Sequence, residues 1–175
     1  MAFMRSAATI VSGILKMNSS AMPPHTVNPH TINPLDGIIH DGKHHQQVRV
    51  YYEDTDFSGV VYHASYLRFL ERGRTDFLRL AGVDQSTLHQ EGDGLIFAVR
   101  RMTIDYFKPA RMDDVLVVET RTADVRGASL VIAQRILRGE EVIVTADVRV
   151  AAISGGRPAR IPDDLRGILA PADQA

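Results

Sequence analysis

The second half of this chain carries four long runs of β-branched and apolar residues, separated by short segments of turn-forming residues. The runs cover residues 95–107, 115–125, 129–137 and 142–153, and each is long enough to cross a sheet. A parallel crossover needs about a dozen residues or more, so links this short indicate that consecutive strands are antiparallel neighbours. The sequence therefore predicts an antiparallel sheet built from consecutive strands.

One long amphipathic helix precedes these strands. Apolar residues recur at steps of three and four from His63 to Leu80, charged residues fill the opposite face, and Gly82 provides a stop. A short run at residues 48–52 alternates like a further strand. These elements predict an α+β fold with one long helix packed on a five-stranded antiparallel sheet. Because one helix covers only part of a sheet face, we expect a homodimer at least.

Residues 1–46 differ in composition from the rest of the chain. They hold five of the seven histidines and no sustained apolar period, which is typical of a flexible N-terminal extension in front of a domain at 47–170. The spacing of those histidines matches no fixed metal-ligand geometry. The apolar run near the start is interrupted by Ser12 and Gly13, so we expect no secretory signal and a cytoplasmic protein.

Charge and composition exclude several classes of protein. The net charge of −1 offers no field for polyanions, so we expect no nucleic-acid partner. The absence of cysteine excludes disulfides and a thiolate nucleophile, and no apolar run is long enough for a membrane span. The sequence has no nucleotide-binding glycine motif, no hydrolase nucleophile elbow and no zinc-protease motif, so we expect no metal and no organic cofactor.

The residues best suited to chemistry cluster just before the long helix. Residues 52–66 combine three carboxylates with His63 at the helix start, where unpaired backbone N–H groups can polarise a carbonyl. A carboxylate there can act as a general base or as a nucleophile, and Gly59 permits a sharp turn. Spacing alone leaves a second interpretation open, in which Asp56 only forms a turn and His63 is a polar surface residue.

The order of these residues resembles a known family. Asp54-Thr-Asp56-x-x-Gly59-x-Val61-Tyr-His63-x-x-Tyr66, followed by Glu71, is similar to the motif of the hotdog-fold acyl-CoA thioesterases of the 4-hydroxybenzoyl-CoA thioesterase type. Within that type the YbgC-like enzymes associated with the Tol-Pal system are the most similar. Stretches at 97–106, 108–114 and 126–130 resemble the family too, so that the similarity runs from about residue 48 to the final strand.

The resemblance implies roles for particular residues. It implies that Asp56 is the catalytic nucleophile or general base, and that the backbone N–H of His63 polarises the thioester carbonyl, with the His63 side chain also implicated. Phe97, with Phe69 and Leu70, is expected to line an acyl slot between the long helix and a partner subunit. A further set is expected around the reacting carbon: Gly59, Val60, Tyr62 and Tyr66. Charge and position, rather than a match to the motif, suggest four cations for the coenzyme A phosphates: Arg100, Arg101, Lys108 and Arg111.

Two further functions stay open at this point. One is a non-catalytic hotdog dimer that binds an acyl carrier protein, another phospholipid-synthesis protein or a cell-envelope partner. The other is a hotdog dehydratase or hydratase, whose catalytic motif differs from the one here. The sequence does not define the acyl chain length, nor whether coenzyme A or a carrier protein presents the acyl group.

Overall fold

The computed structural model describes residues 34–83, 88 and 94–171. In this part of the chain one long helix lies against an antiparallel sheet, with a second, short helix at Asp163–Ile168. Short 3₁₀ turns cover Pro34–Asp36 and Tyr52–Asp54. The main elements, in chain order, are β1 (Ile38–His40), β2 (Lys43–Arg49), α1 (His63–Leu80), β3 (Ile96–Tyr106), β4 (Val115–Arg126), β5 (Ser129–Arg138), β6 (Glu141–Ser154) and β7 (Arg157–Pro158).

The described strands form one antiparallel sheet in the order β1-β2-β4-β5-β6-β3, with β7 paired to β6. The prediction that every consecutive strand is a neighbour holds for β4, β5 and β6 but is wrong for β3 and β4. β3 pairs instead with β6, so β5 and β6 separate it from β4. Residues 107–114 therefore form a crossover rather than a hairpin turn, and this crossover passes the start of α1, where Ala110 is fully buried.

Helix α1 has the bounds that its apolar spacing predicts, because one face packs on the sheet and Gly82 follows with a left-handed φ of 84°. At Gly73 the helix approaches β4 so closely that an added Cβ would lie 2.7 Å from Val118 Cγ1. The buried residues of α1 are Ser65, Tyr66, Phe69, Leu70, Gly73, Arg74, Asp76, Phe77 and Leu78. Among the described helices none has the length and apolarity needed to cross a bilayer.

The N-terminal part of the domain differs from the sequence-based expectation. Residues 34–46 were expected within a flexible extension, but residues 38–40 and 43–49 form a hairpin whose second strand pairs with β4. The strand predicted at 48–52 is therefore shifted towards the N-terminus. His44 is fully buried, and its Nε2 lies 2.6 Å from the Asp36 carbonyl oxygen. Residues 1–33, which hold most of the predicted extension and the apolar run near its start, lie outside the described residues.

Candidate functional site

The loop that leads into α1 is a tight turn held by backbone hydrogen bonds. The Asp56 N–H donates to the Val60 carbonyl and the Gly59 N–H donates to the Asp56 carbonyl, both at 3.0 Å. Gly59 has a φ of 75°, a left-handed conformation that favours glycine, although there is open space where a Cβ would stand. Conformation rather than crowding therefore explains glycine at this position.

The Asp56 carboxylate lies exposed on this turn. Its Oδ1 accepts hydrogen bonds from the Ser58 backbone N–H, at 2.8 Å, and from the Ser58 hydroxyl. The hydroxyl bond, followed by the backbone bond, lowers the pKa of Asp56 below its usual value. Both bonds from Ser58 go to Oδ1 and leave Oδ2 unused by Ser58. The carboxylate is thus ionised at neutral pH and keeps one oxygen available for a substrate or a water.

The start of α1 presents backbone donors beside this loop. Tyr62 occupies the N-cap position without a side-chain hydrogen bond, and the Ser65 N–H donates to the Tyr62 carbonyl at 2.8 Å. Within the described part of the chain the N–H groups of His63 and Ala64 have no acceptor. Free donors at a helix start carry a partial positive charge, which suits an oxygen that gains negative charge in a reaction.

The neighbouring carboxylate in the motif has a different environment. Asp54 is 4% exposed, and its Oδ2 accepts the Tyr51 N–H at 3.0 Å while Arg68 lies 3.5 Å from Oδ1. Its backbone carbonyl also accepts the Tyr62 N–H at 2.9 Å. Asp54 therefore stabilises the loop, and Asp56 is the motif aspartate whose carboxylate faces solvent.

The crossover at residues 107–114 supports the start of the helix. The Val61 N–H donates to the Ala110 carbonyl at 2.8 Å, and the Ala110 N–H donates to the Tyr66 hydroxyl at 2.9 Å. Tyr66 is 3% exposed, and burial raises the pKa of its phenol. Tyr66 was predicted to line the substrate site, but the structure places it in the core as a support for the crossover.

The two residues at the helix start lie side by side. The His63 ring is tilted against the Tyr62 ring with centroids 4.3 Å apart, and both side chains are exposed. The His63 carbonyl accepts a hydrogen bond from the Tyr106 hydroxyl at 3.2 Å. The loop at 55–62, the start of α1, the end of β3 and the crossover thus meet at one end of the domain.

Comparison with known proteins identifies the family. A family model described as the thioesterase-like superfamily matches residues 50–169. The chain belongs to this superfamily. It is 45% identical over 121 residues to the acyl-CoA thioesterase YbgC of Haemophilus influenzae, which covers 68% of this chain and 88% of the relative. Over 107 residues it is 49% identical to the acyl-CoA thioester hydrolase YbgC of Escherichia coli, covering 61% of this chain and 78% of that protein.

A solved structure agrees with this assignment. The crystal structure of a probable thioesterase from Bartonella henselae matches with a TM-score of 0.65 and 47% identity, over 69% of this chain and 99% of the other. The predicted hotdog fold, the resemblance to YbgC-like proteins and the prediction of a thioester hydrolase are therefore confirmed. The dehydratase interpretation receives no support from these matches.

The predicted phosphate-binding cations of this thioesterase superfamily member fall into two groups. Arg111 forms a β-bridge with Val60, so it lies beside the Asp56 loop with an exposed side chain, and Lys108 in the same crossover pairs with Glu141. Arg100 and Arg101 lie exposed at the bulge of β3. Arg101 lies five positions before Tyr106 along β3, or about 17 Å, so a single chain does not bring Arg100 and Arg101 to the loop.

The predicted acyl slot is likewise not beside Asp56 in one chain. Phe97 lies nine residues, or about 30 Å, from the Tyr106 end of β3. It lines a cleft that is open to solvent, together with α1 residues that include Arg74 and Leu78. Phe69 and Leu70 are fully buried and do not line this cleft, so their assignment to the slot is wrong.

Sequence reasoning gave no role to Ser58 or Tyr106. Ser58 has a readable signal, because a serine two residues after an aspartate favours a hydrogen-bonded turn that holds the carboxylate. Tyr106 has no such signal, since its contact with His63 depends on how β3 and α1 are placed in the fold.

Proposed function

We propose that this protein hydrolyses acyl-CoA thioesters, with Asp56 as nucleophile or general base and the start of α1 as the group that polarises the carbonyl. The observation that carries the proposal is the placement of an exposed, ionised carboxylate on the turn that leads directly to unpaired helix N–H groups. Membership of the thioesterase superfamily and the printed activities of the YbgC relatives support the substrate class.

The chemistry follows from these groups. The His63 N–H donates to the thioester oxygen, which gains negative charge as the carbonyl carbon is attacked. Asp56 Oδ2 either removes a proton from the attacking water or attacks the carbon itself to form an anhydride that water then hydrolyses. In both routes the carbon–sulfur bond breaks, the coenzyme A thiolate leaves, and water supplies the oxygen of the free acid. Gly59, Val60 and Tyr62 surround the reacting carbon.

We also propose that the working enzyme is a homodimer joined through β3. β3 is eleven residues long, lies at the edge of the described sheet, and has Ile96 and Val99 exposed by 42% and 49%. An unpaired edge of this kind is a template for another strand. Two copies paired antiparallel place the Phe97 end of one beside the Tyr106 end of the other, which brings Phe97, Arg100 and Arg101 to the partner's thioester site.

The catalytic assignment is tested by Asp56→Asn, which keeps the size and shape of the side chain but removes its charge and replaces one acceptor oxygen with an amide donor. We expect kcat for acyl-CoA hydrolysis to fall by at least about 100-fold, because general bases and nucleophiles contribute on that scale. Release of free thiol from propionyl-CoA through palmitoyl-CoA, with 4-hydroxybenzoyl-CoA, measures it. Glu53→Gln, an exposed carboxylate on the same loop, is the matched control. A parental rate for Asp56→Asn contradicts the assignment.

The dimer is tested by mixing two inactive variants. Asp56→Asn lacks the base, and Phe97→Lys places a charge in the acyl cleft. If each site takes Asp56 from one copy and Phe97 from the other, unfolding and refolding an equal mixture restores about a quarter of the parental activity, since half the dimers are mixed and each has one intact site. A mixture that stays as inactive as its components contradicts the shared site.

Three expectations from the resemblance stay predictions: an acyl carrier protein or another phospholipid-synthesis partner, the Tol-Pal association and a homotetrameric assembly. The cytoplasmic location expected from the sequence also stays a prediction.

A further inference from the structure

Tyr106 makes a contact with the start of α1 that the proposed chemistry has not used. It is the last residue of β3, and its hydroxyl donates to the His63 carbonyl oxygen at 3.2 Å. Its ring packs against Tyr66, with centroids 5.8 Å apart and planes tilted by 57°. The side chain is therefore held by the core on one side while its hydroxyl reaches the first peptide of the helix.

That peptide also carries a free donor. The His63 carbonyl and the Ala64 N–H belong to one planar peptide unit, so fixing the direction of the carbonyl fixes the direction of the N–H. A hydrogen bond accepted by the carbonyl also polarises the unit and makes its N–H a stronger donor. The Ala64 N–H has no acceptor among the described residues, as noted above for His63.

We propose that Tyr106 is a positioning residue that aims and strengthens the Ala64 N–H as a second donor to the thioester oxygen, beside the N–H of His63. The inference rests on the proposed function, because it assigns a role within the same site. Tyr106 has a single hydroxyl proton and donates it to the His63 carbonyl, so it acts through the peptide and not as an acid towards the substrate.

The protonation state of Tyr106 agrees with this role. Burial raises the pKa of the phenol above its usual value, so the hydroxyl stays protonated and remains a donor throughout the neutral range. Removing the hydroxyl is therefore expected to lower the rate equally at each pH, without moving the acid limb of the pH profile.

Tyr106→Phe tests the proposal, because it removes the hydroxyl and keeps the ring that packs on Tyr66. Using the acyl-CoA that the parental enzyme hydrolyses fastest, we expect kcat to fall about three- to tenfold, the range expected for one lost hydrogen bond. KM and the unfolding temperature are expected to stay at parental values. The Ala64 amide proton, followed by NMR of the full-length protein, is expected to move upfield. Tyr52→Phe, which removes an exposed hydroxyl from the same end of the domain, is the matched control and changes none of these.

Two results overturn the assignment of Tyr106. One is a parental kcat for Tyr106→Phe beside an Asp56→Asn variant that has lost activity. The other is a fall in kcat that accompanies a fall in unfolding temperature while the Ala64 amide proton does not move, which indicates a purely structural role. Equal rates for the parental protein and Asp56→Asn are a different outcome, which overturns the proposed function and the Tyr106 assignment with it.

Discussion

The two ends of α1 are held in the fold by different kinds of contact. At the C-terminal end the contacts are made by side chains: the Gln46 amide donates to Asp76, which also pairs with Arg79, and Arg79 reaches Asp36 at 3.3 Å. At the N-terminal end each support involves a backbone group: the Val61 N–H donates to the Ala110 carbonyl at 2.8 Å, and the Tyr66 and Tyr106 hydroxyls bond to the Ala110 N–H and the His63 carbonyl. The comparison shows that the end with the candidate site is fixed without using the Asp56 or His63 side chains, which remain exposed for a substrate.

The largest change in stability is expected from a substitution at the C-terminal end of α1. Gln46→Leu fills a similar volume but removes the donor to buried Asp76, which leaves a charged acceptor short of one hydrogen bond. We expect the free energy of unfolding to fall by about 2 kcal/mol, which corresponds to roughly 4–8 °C in unfolding temperature. The kcat of the folded enzyme is expected to stay at the parental value.

Gln47→Leu is the matched control for that variant, since the neighbouring residue on β2 is exposed and its side chain makes no hydrogen bond with the described residues. Thermal unfolding followed by circular dichroism measures both variants. If they unfold at the same temperature, the side-chain contacts do not hold this end of the helix, and the contrast between the two ends is wrong.

A smaller effect is expected at the N-terminal end, where Ser58→Ala removes the hydroxyl that most lowers the pKa of Asp56. With that bond lost, the pKa of Asp56 rises towards its usual value, so the carboxylate becomes protonated at a higher pH. The acid limb of the pH profile of kcat/KM is expected to move to higher pH, while the rate at neutral pH changes by less than about twofold and stability by less than about 0.5 kcal/mol.

The pH profile of kcat/KM between acid and neutral pH measures this change, and Ser58→Thr, which restores a hydroxyl, is expected to return the limb towards its parental position. An acid limb that Ser58→Ala leaves unmoved contradicts the assignment of that limb to Asp56.

Local patterns in the sequence were sufficient for much of the fold. The predicted bounds of α1 are correct because the apolar spacing of the helix and the glycine that ends it are both local signals. The four strands after the helix lie within a residue or two of their predicted ends. The strand before the helix was misplaced because Lys43–Arg49 is polar, and His44 and Gln46 are buried only through contacts with distant residues. Chain order likewise does not reveal that β3 pairs with β6.

For the candidate site, too, the sequence predicts residues that are neighbours along the chain better than residues that only the fold or a second copy brings together. Asp56, Gly59 and His63 follow one another along the chain, so a motif brings them together, and the structure places them on one turn and the helix start that follows. Phe97, Arg100 and Arg101 lie far along β3 from this turn, and their proposed role depends on a second copy. Tyr66 stands at a position of the same motif, but its hydroxyl accepts a hydrogen bond from the buried Ala110 N–H.

The pairing of β3 with β6 has a consequence for how the protein is made. During synthesis β3 leaves the ribosome before β4, β5 and β6, and among the described strands β6 is its one partner. β3 therefore stays unpaired until almost the whole domain has been translated, which proceeds at about 5–20 residues per second. Because Tyr106 and the crossover follow directly from β3, the support for the helix start is complete only once β3 has paired, and a chain interrupted before β6 has no assembled site.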